Sequence, residues 1–305
     1  MKIAALSIIN LLTGLVLAPL LPGIINKTKA VFAGRRGPPV LQTYYDILKL
    51  LRKGAVYSRT TTWIFRAAPV IGLAAVLAAM TLLPAASAPA PVSFAGDLIL
   101  FAYCFGLLRF FLVAAALDTG SAFEGMGASR EVQFSTMAEP ALLLGLAALA
   151  RAAGSLSLTG IFSGLTWQVA GPALVLVSAA LLIVFLAENA RIPVDDPNTH
   201  LELTMIHEVM VLDYSGPDFA IILYTSSLKL WALGALLVNI LLSVLPLRGF
   251  AATGGVFIGL ILLSVLVGII ESIMARLSLL KVPQLLAGAV ALSVLALALV
   301  LRFTS

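Results

Sequence analysis

Apolar runs of about 20 residues dominate the chain, each long enough to cross a bilayer core of about 30 Å as a helix. They fall near 3–23, 64–84, 97–117, 137–154, 169–188, 219–242, 253–273 and 282–301. The pattern predicts an all-α, polytopic membrane protein with about eight transmembrane helices, read as a single transmembrane domain over 1–305. The fourth run opens on Glu139 and Pro140, and proline is tolerated in a first helical turn. The first run is longer than the 7–15 apolar residues of a signal peptide, so a retained helix is expected there. No internal repeat organises the runs.

The polar positions between the runs have patterns of their own. In the stretch from Leu41 to Lys53, Gln42, Asp46, Lys49 and Lys53 recur at helical spacing, while Leu41, Tyr44, Tyr45, Leu48 and Leu51 take the other side. This predicts an amphipathic helix at about 40–53 with a basic end, lying in the membrane interface. Two roles are open to it: a passive surface anchor, or one wall of a site shared with a partner. Just before it, Arg35 and Arg36 stand between a glycine and a Gly-Pro-Pro run. Such a rigid basic turn suits partner docking or simple topogenesis. Residues 118–136 contain Gly120, Gly125 and Gly127 and read as a coil lying on protein. The stretches 86–96 and 155–165 read as a Pro/Ala turn and a weakly polar crossing.

The densest polar segment runs from Glu188 to Asp218. It holds seven of the chain's fourteen acidic residues and both histidines, His200 and His207. The runs on either side are almost uncharged. Charge beside lipid is expensive, which marks the segment as a place of use.

Composition narrows the class. The chain is 61% hydrophobic and 11% charged, against about 25% charged in soluble domains. One cysteine, Cys104, makes neither an internal disulfide nor a thiolate-held cluster, so any redox centre belongs to another chain. The net charge of +5 follows a loop bias and not a nucleic-acid site. Thirteen of the nineteen lysines and arginines fall on the side that carries residues 24–63. By the positive-inside bias that side is cytoplasmic, both termini lie outside, and the acidic segment faces the cytoplasm.

Several chemistries are disfavoured. His200 and His207 lie about 10 Å apart along a helix, too far for one ion. The His207-Glu208 pair fails the zinc-helix pattern, because Val211 stands where the second histidine belongs. No serine or cysteine nucleophile has a recognisable setting. Carboxylates remain. Glu188, at the end of a run, is expected to pair with Arg191 as a helix-end salt bridge. Glu202 and Glu208 are expected on a helix opening after Pro197 and capped by Asn198 or Thr199. Carboxylates and histidines near lipid make a proton relay; ordinary ion pairs in a solvated loop are the competing reading. Lys229 and Glu271, inside or near apolar runs, read as helix-end or interhelical pairs.

The run from Glu188 to Asp195 resembles the signature of the complex I membrane subunit that abuts the quinone chamber, subunit 1 or H. Glu188, Arg191, Pro193, Asp195, Pro197, Glu202 and Leu203 match that pattern. The first long loop is similar to that family's basic turn and following helix, through Arg35, Arg36, Gly37, Pro38, Leu41, Gln42, Asp46, Lys49 and Leu50. Asn198 and His200 replace two acidic positions, Asp196 replaces a leucine, and the segment before Asp213-Tyr214 is longer. These departures, with the stretch from Gly125 to Leu143, resemble the homologous subunit of energy-converting nickel–iron hydrogenases and formate hydrogenlyase.

The resemblance implies a non-catalytic membrane subunit of a hetero-oligomer in a prokaryotic inner membrane. Hydrogenase large and small subunits, iron–sulfur subunits and antiporter-like membrane subunits would be its partners. Iron–sulfur clusters and a nickel–iron centre would reside in those partners, with no cofactor or metal in this chain. A path for protons or sodium ions would use Glu188, Asp195, Asp196, His200, Glu202, His207, Glu208 and Asp213. Docking would use Arg35, Arg36, Gln42, Asp46, Lys49 and Arg191. A quinone-reducing complex I subunit is the second expectation. A stand-alone transporter is the third, disfavoured by the lack of repeats and of interrupted midplane helices.

Overall fold

The computed structural model describes residues 2–84, 88–165, 167–195, 205–243, 245 and 249–304. Its elements are α1 (Lys2–Leu17), α2 (Leu20–Phe32), α3 (Gln42–Leu51), α4 (Trp63–Leu82), α5 (Asp97–Asp118), α6 (Ala122–Ala153), α7 (Leu158–Gly164), α8 (Trp167–Glu188), α9 (Gly216–Leu242), α10 (Phe250–Ile273) and α11 (Val282–Thr304). A one-turn 3-10 helix spans Glu208–Val211. Among the described residues no strand forms. Among these residues seven helices are long and apolar enough to span a membrane, and α1 with α2 supplies an eighth as a bent pair. The chain is a multi-pass membrane protein.

The first span is not straight. α1 and α2 meet at 50°, with Pro19 between them and Pro22 in the next turn. Proline offers no N–H to the turn before it, so carbonyls at the break need other donors. Tyr224 Oη donates to Leu15 O at 2.9 Å and Tyr44 Oη to Val16 O at 2.5 Å. The bend is therefore tied to α9 and α3, and α2 is redirected toward α10.

α6 corrects a second expectation. Residues 122–136 are helical and continuous with the fourth span, giving a helix of 32 residues, about 48 Å long. Of the three glycines, Gly120 alone sits at positive φ, 72°, just before the helix begins. Gly127 is inside it because a neighbour comes close: a Cβ there would lie 2.8 Å from Ile206 O and collide with Val209. Glycine marks a close packing contact here, not a coil.

α9 is the central post and the most buried span. It packs against α2, α3, α4, α8 and α10, while α6, α8 and α11 form an adjoining group and α5 leans on α4 and α6. α3 forms as expected: Leu41, Tyr45, Leu48 and Leu51 stay exposed, as an apolar face turned to lipid would be, and Gln42 Nε2 donates to Asp46 Oδ1 at 2.9 Å. The loop after α3 is locked to the start of α9. Tyr57 Oη donates to Asp218 Oδ2 at 2.7 Å, and Val56 N donates to Ser215 Oγ at 3.1 Å. Gly216, at φ 56°, is needed where that loop passes: an added Cβ would lie 2.5 Å from Gly54 O.

Candidate functional site

A cavity of about 590 Å³ lies between α2, α3, α4, α5 and α9, closed on one side by the end of α8 and the residues that follow it. Thr43 and Asp46 of α3 line it, so the amphipathic helix is a wall and not only an anchor. Arg109, Glu131, Glu188, Arg191, His207, Glu208 and Lys229 also line it. Leu108, Leu112, Phe219, Ile222 and Leu230 supply the apolar remainder.

A buried charge network sits at this wall. Arg109, 8% exposed, reaches three carboxylates from the middle of α5. Its guanidinium pairs with Glu188 of α8 and Glu139 of α6, and its Nε lies 3.3 Å from Glu131 Oε1. Lys229 of α9 completes the group, its Nζ 2.8 Å from Glu188 Oε2. A guanidinium offers five donors in a planar fork, which lets one side chain serve several carboxylates. With every member ionised, three carboxylates face two cations.

The expected Glu188–Arg191 pair therefore does not form; Glu188 is held by Arg109 and Lys229 instead. After α8 the chain turns through Ala190, at φ 49°, and the Ile192–Pro193 peptide is cis. This turn carries Arg191 to the other side. Its Nη1 lies 3.6 Å from Glu271 Oε1, while Lys29 Nζ lies 2.8 Å from Glu271 Oε2. Lys229 and Glu271 are thus both interhelical partners. Arg191 is only 11% exposed at its side chain and belongs to the interior.

Asp195 organises the return of the acidic segment. Its Oδ2 accepts from Ile206 N and His207 N, each at 3.1 Å, and Arg276 Nη2 lies 2.9 Å from Oδ1. This clamp sets His207 against the cavity. Burial holds the His207 imidazole below the ordinary histidine range; Glu131 draws it back up, Lys229 pushes it down, and Asp195 and Glu188 draw it up. Glu208 also lines the cavity, but on a 3-10 turn and not on the α-helix expected to open after Pro197. Asp213 is exposed, and its backbone N–H donates to the buried Glu124 at 3.0 Å. Asp196, His200 and Glu202, with the expected caps Asn198 and Thr199, lie outside the described residues.

Tyr214 faces the cavity and stacks on Phe65 with centroids 4.0 Å apart. Its hydroxyl donates to Phe65 O at 2.7 Å, and burial raises the phenol's pKa. Arg35, Arg36 and Lys49 are exposed on the surface around α3. Among the described residues no three of His, Cys, Asp and Glu converge as metal ligands.

Arg109, Glu131 and Glu139 were missed as site residues from sequence, and Lys229 was read only as a pair. The available signal was a charge inside an apolar run, which holds for both Arg109 and Lys229.

Residues 4–302 match the model of the family described as NADH dehydrogenase. The chain belongs to this family. It is 34% identical over 277 residues to formate hydrogenlyase subunit 4 of Escherichia coli (strain K12), covering 88% of this chain and 89% of that one. It is 35% identical over 230 residues to hydrogenase-4 component C of the same organism, covering 75% and 72%. Its fold is similar to a chain of the membrane-bound sulfane sulfur reductase, an archaeal respiratory membrane complex, with TM-score 0.78 at 19% identity, covering 97% of this chain and all of that one. Of the run from Glu188 to Asp195, residues 188–191 line the cavity, with Glu188 inside the charge network and Asp195 in the clamp beneath His207.

Proposed function

We propose that this chain is the membrane-anchor and coupling subunit of a membrane-bound nickel–iron hydrogenase of the formate hydrogenlyase type. It holds a soluble redox arm at the membrane and links electron transfer to movement of protons or sodium ions. One observation carries the reading: a charge network between helices, reaching from α6 to α9, opens onto a cavity walled by the amphipathic helix. The identity to formate hydrogenlyase subunit 4 and hydrogenase-4 component C supports the hydrogenase branch.

In this reading Arg35, Arg36, Gln42, Asp46 and Lys49 sit where the arm docks, on the cytoplasmic side, with both termini outside. The partners are hydrogenase large and small subunits, iron–sulfur subunits and antiporter-like membrane subunits. They carry the iron–sulfur clusters and the nickel–iron centre. A redox event in the arm changes the field at the cavity, and Glu188 responds because it is poised between Arg109 and Lys229. Shifting either cation away from Glu188 lets the carboxylate take a proton; restoring it expels the proton. In this reading His207 and Glu208, which line the cavity, exchange that proton with it.

The test is purification from prokaryotic membranes in mild detergent, followed by metal analysis and activity. Nickel and iron co-purifying with hydrogen evolution are expected. A nickel-free complex that oxidises NADH and reduces quinone would overturn this reading in favour of the second one, a quinone-chamber subunit. The volume of the cavity, within the range that small ligands occupy, is the observation behind that alternative.

A further inference from the structure

The surface between α5 and α6 combines features that do not suit lipid. Glu139 is 49% exposed at its side chain. It lies fourteen residues from the end of α6 at Ala153, about 21 Å along the helix, and so within the depth of a hydrocarbon core of about 30 Å. On α5, Tyr103 shares a groove with Glu139, and Leu107 and Phe110 follow it at helical spacing; the three are exposed at 63%, 44% and 65%. A carboxylate half open to acyl chains is costly, and charged groups at this depth face protein or water.

A second feature lies on the same surface. Pro140 follows Glu139 and is also exposed. It supplies no N–H to the carbonyl of Thr136, one turn earlier, and Thr136 is itself an exposed residue. That carbonyl and the carboxylate of Glu139, which Arg109 holds through Oε1, lie within one turn of α6. The bilayer core offers no donor to the carbonyl or to the second carboxylate oxygen.

The charge behind them has a sign. Glu131, Glu139 and Glu188 face Arg109 and Lys229, leaving one negative charge without a cation. A shallow groove leads inward from this surface, lined by Ala102, Tyr103, Gly106, Glu139 and Arg109. Gly106 lies beside the carboxylate: a Cβ there would make an ordinary contact, 3.8 Å from Glu139 Oε1.

We infer that the α5–α6 surface around Glu139 seats a transmembrane helix of another membrane subunit, one that places a lysine or arginine beside Glu139. The inference rests on the chain being one subunit of a membrane assembly. It does not depend on whether the soluble arm is a hydrogenase. The partner's cation neutralises the network from outside. Its aliphatic stem packs on Tyr103 and Phe110, and its donors reach Glu139 and the Thr136 carbonyl.

The experiment places a photo-crosslinking amino acid at Tyr103 or Phe110 in the intact membrane complex, with Leu262 on α10 as an exposed apolar reference. Adducts are identified by mass spectrometry. A membrane polypeptide joined at Tyr103 and Phe110, with the adduct peptide close to a basic residue, is the expected result. Glu139→Lys, in complex that still assembles on the soluble arm, should cut that yield at least tenfold, and Glu139→Gln should cut it less. If Glu139→Lys fails to accumulate, the Glu139→Gln yield against the unsubstituted complex gives the reading, and an unchanged yield counts against the inference. Lipid adducts alone at Tyr103 and Phe110, or adducts only to soluble subunits, would overturn it. Nickel content read on the same sample separates this outcome from failure of the hydrogenase reading.

Discussion

Lys229 Nζ lies 2.8 Å from Glu188 Oε2, with the two side chains only 6% and 5% exposed. This contact joins α9, the central post, to the end of α8, where the acidic segment begins. Arg109 holds the other carboxylate oxygen. Glu188 is thus gripped from two helices, and either grip can change only if a helix or a side chain moves.

Arg109 is the member whose loss should cost most. Arg109→Ala leaves Glu131, Glu139 and Glu188 facing Lys229 alone. Breaking a buried ion pair by removing one partner costs about 3–5 kcal/mol. A large drop in the melting temperature of the detergent-solubilised chain is expected, or failure to accumulate in membranes. Arg109→Lys should be intermediate, since an ammonium lacks the fork that serves three carboxylates. A melting temperature unchanged in Arg109→Ala would show that the network is not a structural element.

Gly125 and Gly127 provide a matched pair on one helix. Gly125→Ala meets nothing within 4 Å and should stabilise α6 by about 0.5–1 kcal/mol, the ordinary gain of alanine over glycine in a helix. Gly127→Ala drives a methyl into Val209 and toward Ile206 O, and should destabilise by about 1–3 kcal/mol, as overpacking does. Thermal melting of the two variants reads the difference; equal shifts would place the close contact elsewhere.

This pair also shows how the sequence could be read and where it misled. Apolar length revealed the spans, because a bilayer demands it of every helix that crosses. Amphipathic spacing located α3 for the same kind of reason. The glycines in 118–136 suggest a coil, because sequence does not reveal a backbone passing close by. The pairing of Glu188 failed similarly. Neighbours three residues apart pair if the helix continues, but here it ends at Glu188 and the chain turns at Ala190. Arg109 finds its carboxylates through tertiary packing, which periodicity does not report.

His207 yields a pH prediction. Burial lowers its pKa in the folded chain. The unfolded chain then takes up a proton first as pH falls. The contribution of His207 to stability is therefore present above the ordinary histidine value of about 6.5 and lost as pH falls below it. His207→Gln should flatten the pH dependence of the melting temperature between about pH 7 and the lower folded pKa. An identical pH profile in the variant would show that the imidazole is not held neutral.

Arg35 and Arg36 test docking. Both are exposed on the turn before α3. Replacing the two with glutamate reverses charge where the soluble arm is proposed to sit, and like charges at an interface cost binding. Membranes should keep this chain and lose at least tenfold in nickel. Hydrogenase activity remaining fully membrane-bound in the double variant would contradict the docking role.

The central claim is that Glu188 couples the redox arm to ion movement. Glu188→Gln removes the titratable proton and keeps the side chain's shape. It leaves Arg109 with Glu131 and Glu139, brings the formal charge of the network to zero, and offers Lys229 an amide oxygen in place of its carboxylate partner, so the complex should assemble. The decisive measurement is the number of ions moved per hydrogen molecule formed, in sealed vesicles containing the assembled Glu188→Gln complex. The account predicts a ratio at least tenfold below that of the unsubstituted complex, with hydrogen formation largely retained. An unchanged ratio would contradict it and leave Glu188 as a structural tie between α5, α8 and α9.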